Sequence, residues 1–228
     1  MVLADHAGFA RVAGVPGLAA GTVVEAACRS VPVEALRPGD VIGAAMLAHI
    51  VACPVFEGTV RIAAQALGQG LPTRPICLGR GQRVSVPRPA AMELVGHAAP
   101  WMRAGDLLGL PGITPFRRAA TTLFSPVLSA PNTLRIAGVE VEPLVPSAAM
   151  LADLPRDARA ALIDGYPAVT RRATWAQWLD GRPELSLREL RWLWDHGWIS
   201  PFEEGRLRVN LPSQQRSLIW HPPGTFGR

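Results

Sequence analysis

Lysine is missing from this 228-residue chain, so all 23 basic side chains are arginine. Against 18 acidic residues they leave a formal net charge of +5. The charge is spread evenly: residues 1–150 carry 12 arginines against nine acids, and 151–228 carry 11 against nine. No segment is a basic block, which argues for a solvated surface rather than a phosphate-binding face. Cysteine is scarce as well. Cys28, Cys53 and Cys77 are an odd number at spacings of 25 and 24 residues, and the five histidines (His6, His49, His97, His196 and His221) are scattered. A zinc site wants close Cys/His pairs, so neither a metal nor any other cofactor is expected, and the thiols read as buried and inert. Long hydrophobic runs are also lacking. The longest, residues 41–56, is interrupted by His49 and falls short of the ~20 residues of a membrane helix. The N-terminal residues show no basic segment leading into a sustained apolar run. A soluble, cytoplasmic protein is the expectation.

What the chain does have is apolar material and punctuation. Hydrophobic residues make up 49% and mean hydropathy is +0.18, enough for a real core. Glycine and proline number 22 each and are distributed along the chain, which favours short strands and turns over long helices. Strand-like segments recur at TVVEA (22–26), SVPVEAL (30–36), GTVRIAAQAL (58–67), PICLG (75–79), QRVSVP (82–87) and TLRIAGVEVEPL (133–144). The Gly-X-Gly runs at 68–70 and 79–81 read as hairpin turns, since neither opens a helix nor carries the Lys-Ser/Thr of a phosphate loop.

The character changes near residue 150. Asp153 and Pro155 signal a helix over 153–165 that stops at Gly165. Thr174 and Gln177 form one capping-box pattern, Ser186 and Glu189 another. The second opens a helix whose apolar stripe is Leu187, Leu190 and Trp194, with a stop at Gly197. GRLRVNL (205–211) alternates as a half-buried strand. Two units are therefore expected: a β domain over 12–150 and a Trp-rich α/β extension over 151–228.

Two stretches carry a family resemblance. AGTVVEAACRSVPVEALRPGD (20–40) is similar to the opening block of bacterial Hint (Hedgehog/intein) domains, ending in Val33, Glu34, Leu36, Gly39 and Asp40. VRIAAQALGQGLPTRPICLGRGQRVSVP (60–87) resembles the next block of that family. TLRIAGVEVEPLVP (133–146) is a weaker match to its closing segment. The resemblance implies a mainly β, horseshoe-like Hint fold, here followed by the small α/β extension.

Self-cleavage in that family begins with a Cys or Ser side chain attacking the preceding carbonyl, and a His protonates the leaving amine. The nucleophile position, four residues before the Gly of Gly-Thr, is Gly17 here. The family's His segment reads Gly79-Arg80-Gly81-Gln82-Arg83, with Gln82 at the His position. Two further family histidines align with Ser125 and Pro131. Glycine has no nucleophile, and Gln cannot shuttle a proton near neutral pH. Cys28 lies 11 residues past the nucleophile position, with no His in a matching segment to activate it. The resemblance thus implies a pseudoenzyme: a non-catalytic Hint-like protein acting as a structural or protein-interaction module within a larger assembly. An active autoprocessing domain with atypical residues is the alternative.

Six of the seven tryptophans lie between residues 175 and 220, interleaved with arginines. Large rings build a small core, anchor a protein interface, or stack on nucleic acid. For a protein partner, the candidates are Trp192, Trp198, Arg188 and Arg191. A nucleic-acid-binding module built on the same Arg/Trp surface is the second alternative.

Overall fold

Short apolar stretches separated by glycine and proline become antiparallel strands in the computed structural model, which describes residues 14–27, 29–55, 58–116, 121–178 and 181–195. In chain order the strands begin with β1 (Leu18–Ala19), β2 (Val23–Ala26), β3 (Arg29–Pro32), β4 (Val41–Ile42), β5 (Ala45–Val55), β6 (Thr59–Ile62) and β7 (Ile76–Gly79). They continue with β8 (Arg83–Ser85), β9 (Met102–Arg103), β10 (Ile113–Phe116), β11 (Thr121–Leu128), β12 (Leu134–Ile136) and β13 (Val139–Val141). The seven-stranded sheet has the order β10-β6-β7-β1-β11-β5-β4, a second sheet runs β12-β13-β8-β9, and β2 pairs with β3. The fold is mainly β.

The apolar run at 41–56, too short for a membrane, is used as the long strand β5. It pairs with β11 from Val55↔Thr121 to His49↔Val127, and a register shift follows at Val127/Leu128. Two-residue β1 sits centrally, with Leu18 fully buried and opposite both Leu78 of β7 and Phe124 of β11. The alternating segment near 133–144 is a hairpin, β12–β13, turned at Ala137–Gly138, where both φ values are positive (50° and 80°). Mirror-image turns of that kind match the twist of paired strands.

Five helices complete the described residues. α1 (Pro89–Val95), not expected from the sequence, starts with proline in its first turn and ends at Gly96 in the left-handed region. α2 (Ala148–Asp153) is capped by Ser147, whose Oγ accepts the Met150 N–H at 3.0 Å. The expected helix start at Asp153–Pro155 is instead the break between α2 and α3 (Arg156–Gly165), with Pro155 as the N-cap. α4 (Arg172–Ala176) begins before Thr174, which is buried inside the helix, so the Thr174–Gln177 capping box does not form. The Ser186–Glu189 box does form ahead of α5 (Leu187–Asp195): Ser186 N–H donates to Glu189 Oε2 at 2.7 Å, and Glu189 N–H to Ser186 Oγ at 3.3 Å. On α5 the buried residues are Leu190 and Leu193, and Trp194 packs partly against the core. Leu187, expected in the stripe, is 45% exposed. Gly197 and the 205–211 segment lie outside the described residues.

The main core joins Leu18, Val60, Leu78, Val84, Met102 and Leu134 to Trp178, Leu185, Leu190 and Leu193 from beyond residue 150. A second cluster sets Leu162 of α3 and Val169 against Val51, Val127 and Leu144. Backbone bonds reinforce the join, Trp101 N–H to Pro183 O and Leu185 N–H to Trp101 O, both 2.8 Å. So do the ion pairs Arg83–Glu142 (3.0 Å), Arg83–Glu184 (2.7 Å), Arg182–Glu140 (2.8 Å) and Arg103–Glu184. No described helix is long and apolar enough to cross a membrane.

Candidate functional site

The peptide bond between Pro16 and Gly17 enters β1 at the middle of the large sheet and is held on three sides. Gly17 is buried with φ +143°, a conformation that L side chains rarely adopt. Its N–H donates to Gln82 Oε1 at 2.8 Å, and its carbonyl accepts Gly79 N–H at 2.8 Å. Ser125 Oγ, from β11, donates to Pro16 O at 3.1 Å.

Gln82 is 4% exposed and fully engaged. Besides accepting from Gly17, its Nε2 donates to Glu142 O at 2.7 Å and Arg83 O at 3.1 Å. The amide orientation follows from these partners, since the Gly17 N–H can only donate and the two carbonyls can only accept. Glycines on the loop after β7 let the incoming chain lie close. Gly81 N–H donates to Val15 O at 3.3 Å, a Cβ on Gly79 would collide with Val15 O, and one on Gly81 would collide with Gly14 O. The Gly79–Gly81 run, expected as a hairpin turn, is a turn (Gln82 N–H to Gly79 O, 3.0 Å) but not a hairpin, because β7 and β8 pair in different sheets; it is also a seat for residues 14–16.

The structure therefore brings together Gly17, Gly79, Gln82 and Ser125 from distant parts of the chain. Pro131 is exposed and stands on the wall of a different hollow, with Trp101 and Trp178. Acyl transfer at Pro16 would need a nucleophile beside the carbonyl and a proton donor at the Gly17 nitrogen. Ser125 supplies one hydroxyl donor to the carbonyl oxygen. At the nitrogen, Gln82 presents an acceptor, the reverse of what a departing amine requires.

Other reactive side chains are placed structurally. Cys53 and Cys77 sit in an apolar cluster with Ala19, Val55 and Leu123, and burial pushes the Cys53 thiol up from its ordinary pKa. Cys28 lies outside the described residues. His49 sits under the end of α3, where a Cβ on Gly165 would be 2.5 Å from its Nδ1, and burial pulls its pKa down. His97 Nδ1 accepts Ala99 N–H at 3.0 Å. No group of three or more His, Cys, Asp or Glu among the described residues could hold a metal ion.

Of the partner candidates, Arg188 and Arg191 are exposed on α5, Trp192 packs partly against the core, and Trp198 lies outside the described residues. Sequence reasoning did not single out Trp101 and Trp178, which line one hollow. It also missed the backbone of residues 14–16, for which the only local signal was the pair of glycines at 79 and 81.

A comparison with protein families matches residues 51–148 to the Hint domain. Those residues are similar to the Hint domain family. The Hint match spans less than half of the chain and holds Gly79, Gln82, Ser125 and Pro131. Gly17 precedes it and is tied to the Hint residues by the bonds described above. No curated protein is significantly similar to the chain.

Proposed function

We propose that this Hint-like protein is non-catalytic and serves as a structural or protein-interaction module, working with a protein partner in a larger assembly. The observation that carries the reading is the Gly17–Gln82 contact: no side chain stands at the nucleophile position, and the amide nitrogen faces an acceptor. Fold and chemistry are separable, so a scaffold persists as a shaped surface after its reaction is lost. The buried, reduced thiol of Cys53 fits a reducing, cytoplasmic setting. In this reading Arg188, Arg191, Trp192 and Trp198 carry the partner contact, because Trp and Arg dominate interface energetics.

Intact mass tests the loss of cleavage. The purified chain is expected to keep its full mass under thiol or hydroxylamine. A fragment starting at or near residue 17 refutes the reading. One observation favours a second reading, an active autoprocessing domain: Ser125 Oγ lies 3.1 Å from Pro16 O. An ester between Pro16 and Ser125 would be released by hydroxylamine, so the same measurement decides between the two. For the partner surface, Trp192→Ala and Trp198→Ala are expected to weaken capture of the native partner while near-UV circular dichroism stays unchanged. Loss of that signal in both variants assigns the rings to the core.

A further inference from the structure

The clamp on Gly17 is anchored in residues that the extension also holds. Gln82 Nε2 donates to Glu142 O at 2.7 Å and Arg83 O at 3.1 Å, and Glu142 N–H donates to that same Arg83 O at 3.1 Å. The side chains of the two anchors pair as well, Arg83 to Glu142 at 3.0 Å. Glu184, from beyond residue 150, grips this unit: its Oε2 takes Arg83 Nε at 2.7 Å.

Glu184 does more than add one ion pair. Arg83 and Arg103 stand directly opposite each other on β8 and β9, and like charges in that position repel. Each carboxylate oxygen of Glu184 takes one of them, Oε2 Arg83 and Oε1 Arg103, so a single side chain offsets the repulsion. The rung beside that pair is the bond from Ala104 N–H to Gln82 O, at 2.8 Å. Glu184 is itself held in place by backbone on both sides. Trp101 N–H donates to Pro183 O and Leu185 N–H to Trp101 O, both at 2.8 Å, and Arg182 pairs with Glu140 at 2.8 Å.

We propose that Glu184 is a positioning residue through which the extension holds the Gln82 clamp closed on the Gly17 amide. Without its carboxylate, Arg83 and Arg103 repel across β8 and β9, and the rung at Gln82 loosens with them. Gln82 Nε2 then loses its fixed acceptors, and Gly17 N–H loses the oriented Oε1. The proposal goes beyond the interaction-module reading and stands whether or not the Pro16–Gly17 bond is cleaved.

The test is amide hydrogen exchange on the full ¹⁵N-labelled chain. It compares Gly17 N–H with Ala63 N–H, which donates to Gly112 O at 2.8 Å by the β6–β10 end of the large sheet. In Glu184→Gln, which keeps the shape and removes the charge, Gly17 should exchange about tenfold faster while Ala63 keeps its rate. Adding Arg103→Met to that variant removes the repulsion and should restore most of the Gly17 protection, a rescue that a simple loss of contacts would not show. If Glu184→Gln does not fold, Glu184→Asp, too short to hold both arginines, takes its place in the same comparison. An unchanged Gly17 rate overturns the proposal. So do equal gains at Gly17 and Ala63, or a failure of Arg103→Met to restore protection.

Discussion

Gln82 Oε1 accepts the backbone N–H of Gly17 at 2.8 Å across 65 residues of sequence. The contact helps fix the Pro16–Gly17 peptide bond in place just ahead of β1. Ser125 holds the carbonyl side at Pro16, and Gln82 holds the nitrogen side while anchoring itself to Glu142 O and Arg83 O. With its lone pair delocalised in the peptide bond, its N–H hydrogen-bonded to Gln82 and no acid beside it to protonate it, the nitrogen is a poor leaving group.

Restoring the missing side chains is expected not to restore cleavage. A Cβ on Gly17 would lie 2.8 Å from Leu123 Cβ and 3.0 Å from Ser125 Oγ, at a φ of +143°. Gly17→Cys, alone or with Gln82→His, should cost about 1–3 kcal/mol from backbone strain. Urea denaturation reads the stability and intact mass the cleavage. Efficient cleavage by either variant would contradict the geometry.

Gln82→Glu separates the donor role of that side chain from its acceptor role. A carboxylate still accepts from Gly17 but cannot donate to Glu142 O or Arg83 O. At pH 8 the variant should lose about 2–3 kcal/mol. Burial against two carbonyls raises the folded-state pKa of the new carboxyl above its unfolded value of ~4.3. The deficit should therefore be largest above the folded pKa and shrink as pH falls towards ~4.3. A pH-independent deficit would show that the donors are unimportant.

Gly81→Ala should displace residues 14–16, because its Cβ meets the Gly14 carbonyl, which is backbone and cannot rotate away. Limited proteolysis is expected to cut before Leu18 faster than in the parent. Gly14→Ala is the control, since its Cβ meets nothing within 4 Å. Equal cutting of both variants would mean that the glycine seat does not hold the segment.

Burial holds the His49 pKa below its ordinary value. Above the unfolded value of ~6.5 the imidazole is neutral in both states and the fold has its full stability. As pH falls below that, the unfolded chain binds the proton first, and stability drops until the folded pKa is reached. Urea midpoints between pH 7.5 and 5.5 should fall, and His49→Gln should flatten the fall. An unchanged slope in that variant would assign the effect to other groups.

Much of this protein is local and therefore legible in its sequence. Strands at residues 22–26, 58–67, 75–79 and 82–87 follow from β-branched alternation between glycines and prolines, and strands β2, β6, β7 and β8 fall there. The Ser186–Glu189 box is a four-residue pattern and forms as written. Side-chain types at positions 17 and 82 are likewise plain from the chain alone. Tertiary structure decided what needs distant partners. Burial inside α4, rather than the capping pattern, fixed the role of Thr174, and packing against α1 and the core put Leu193 inward and left Leu187 exposed. The register of β1 between β7 and β11 brought Gly17, Gln82 and Ser125 to one peptide bond and left Pro131 elsewhere. Packing of residues beyond 150 on the core brought Trp178 and Trp101 to the lining of one hollow. Those contacts span tens of residues, and no periodicity within a single segment encodes them, because each is set by strand pairing and by the burial that closes the core.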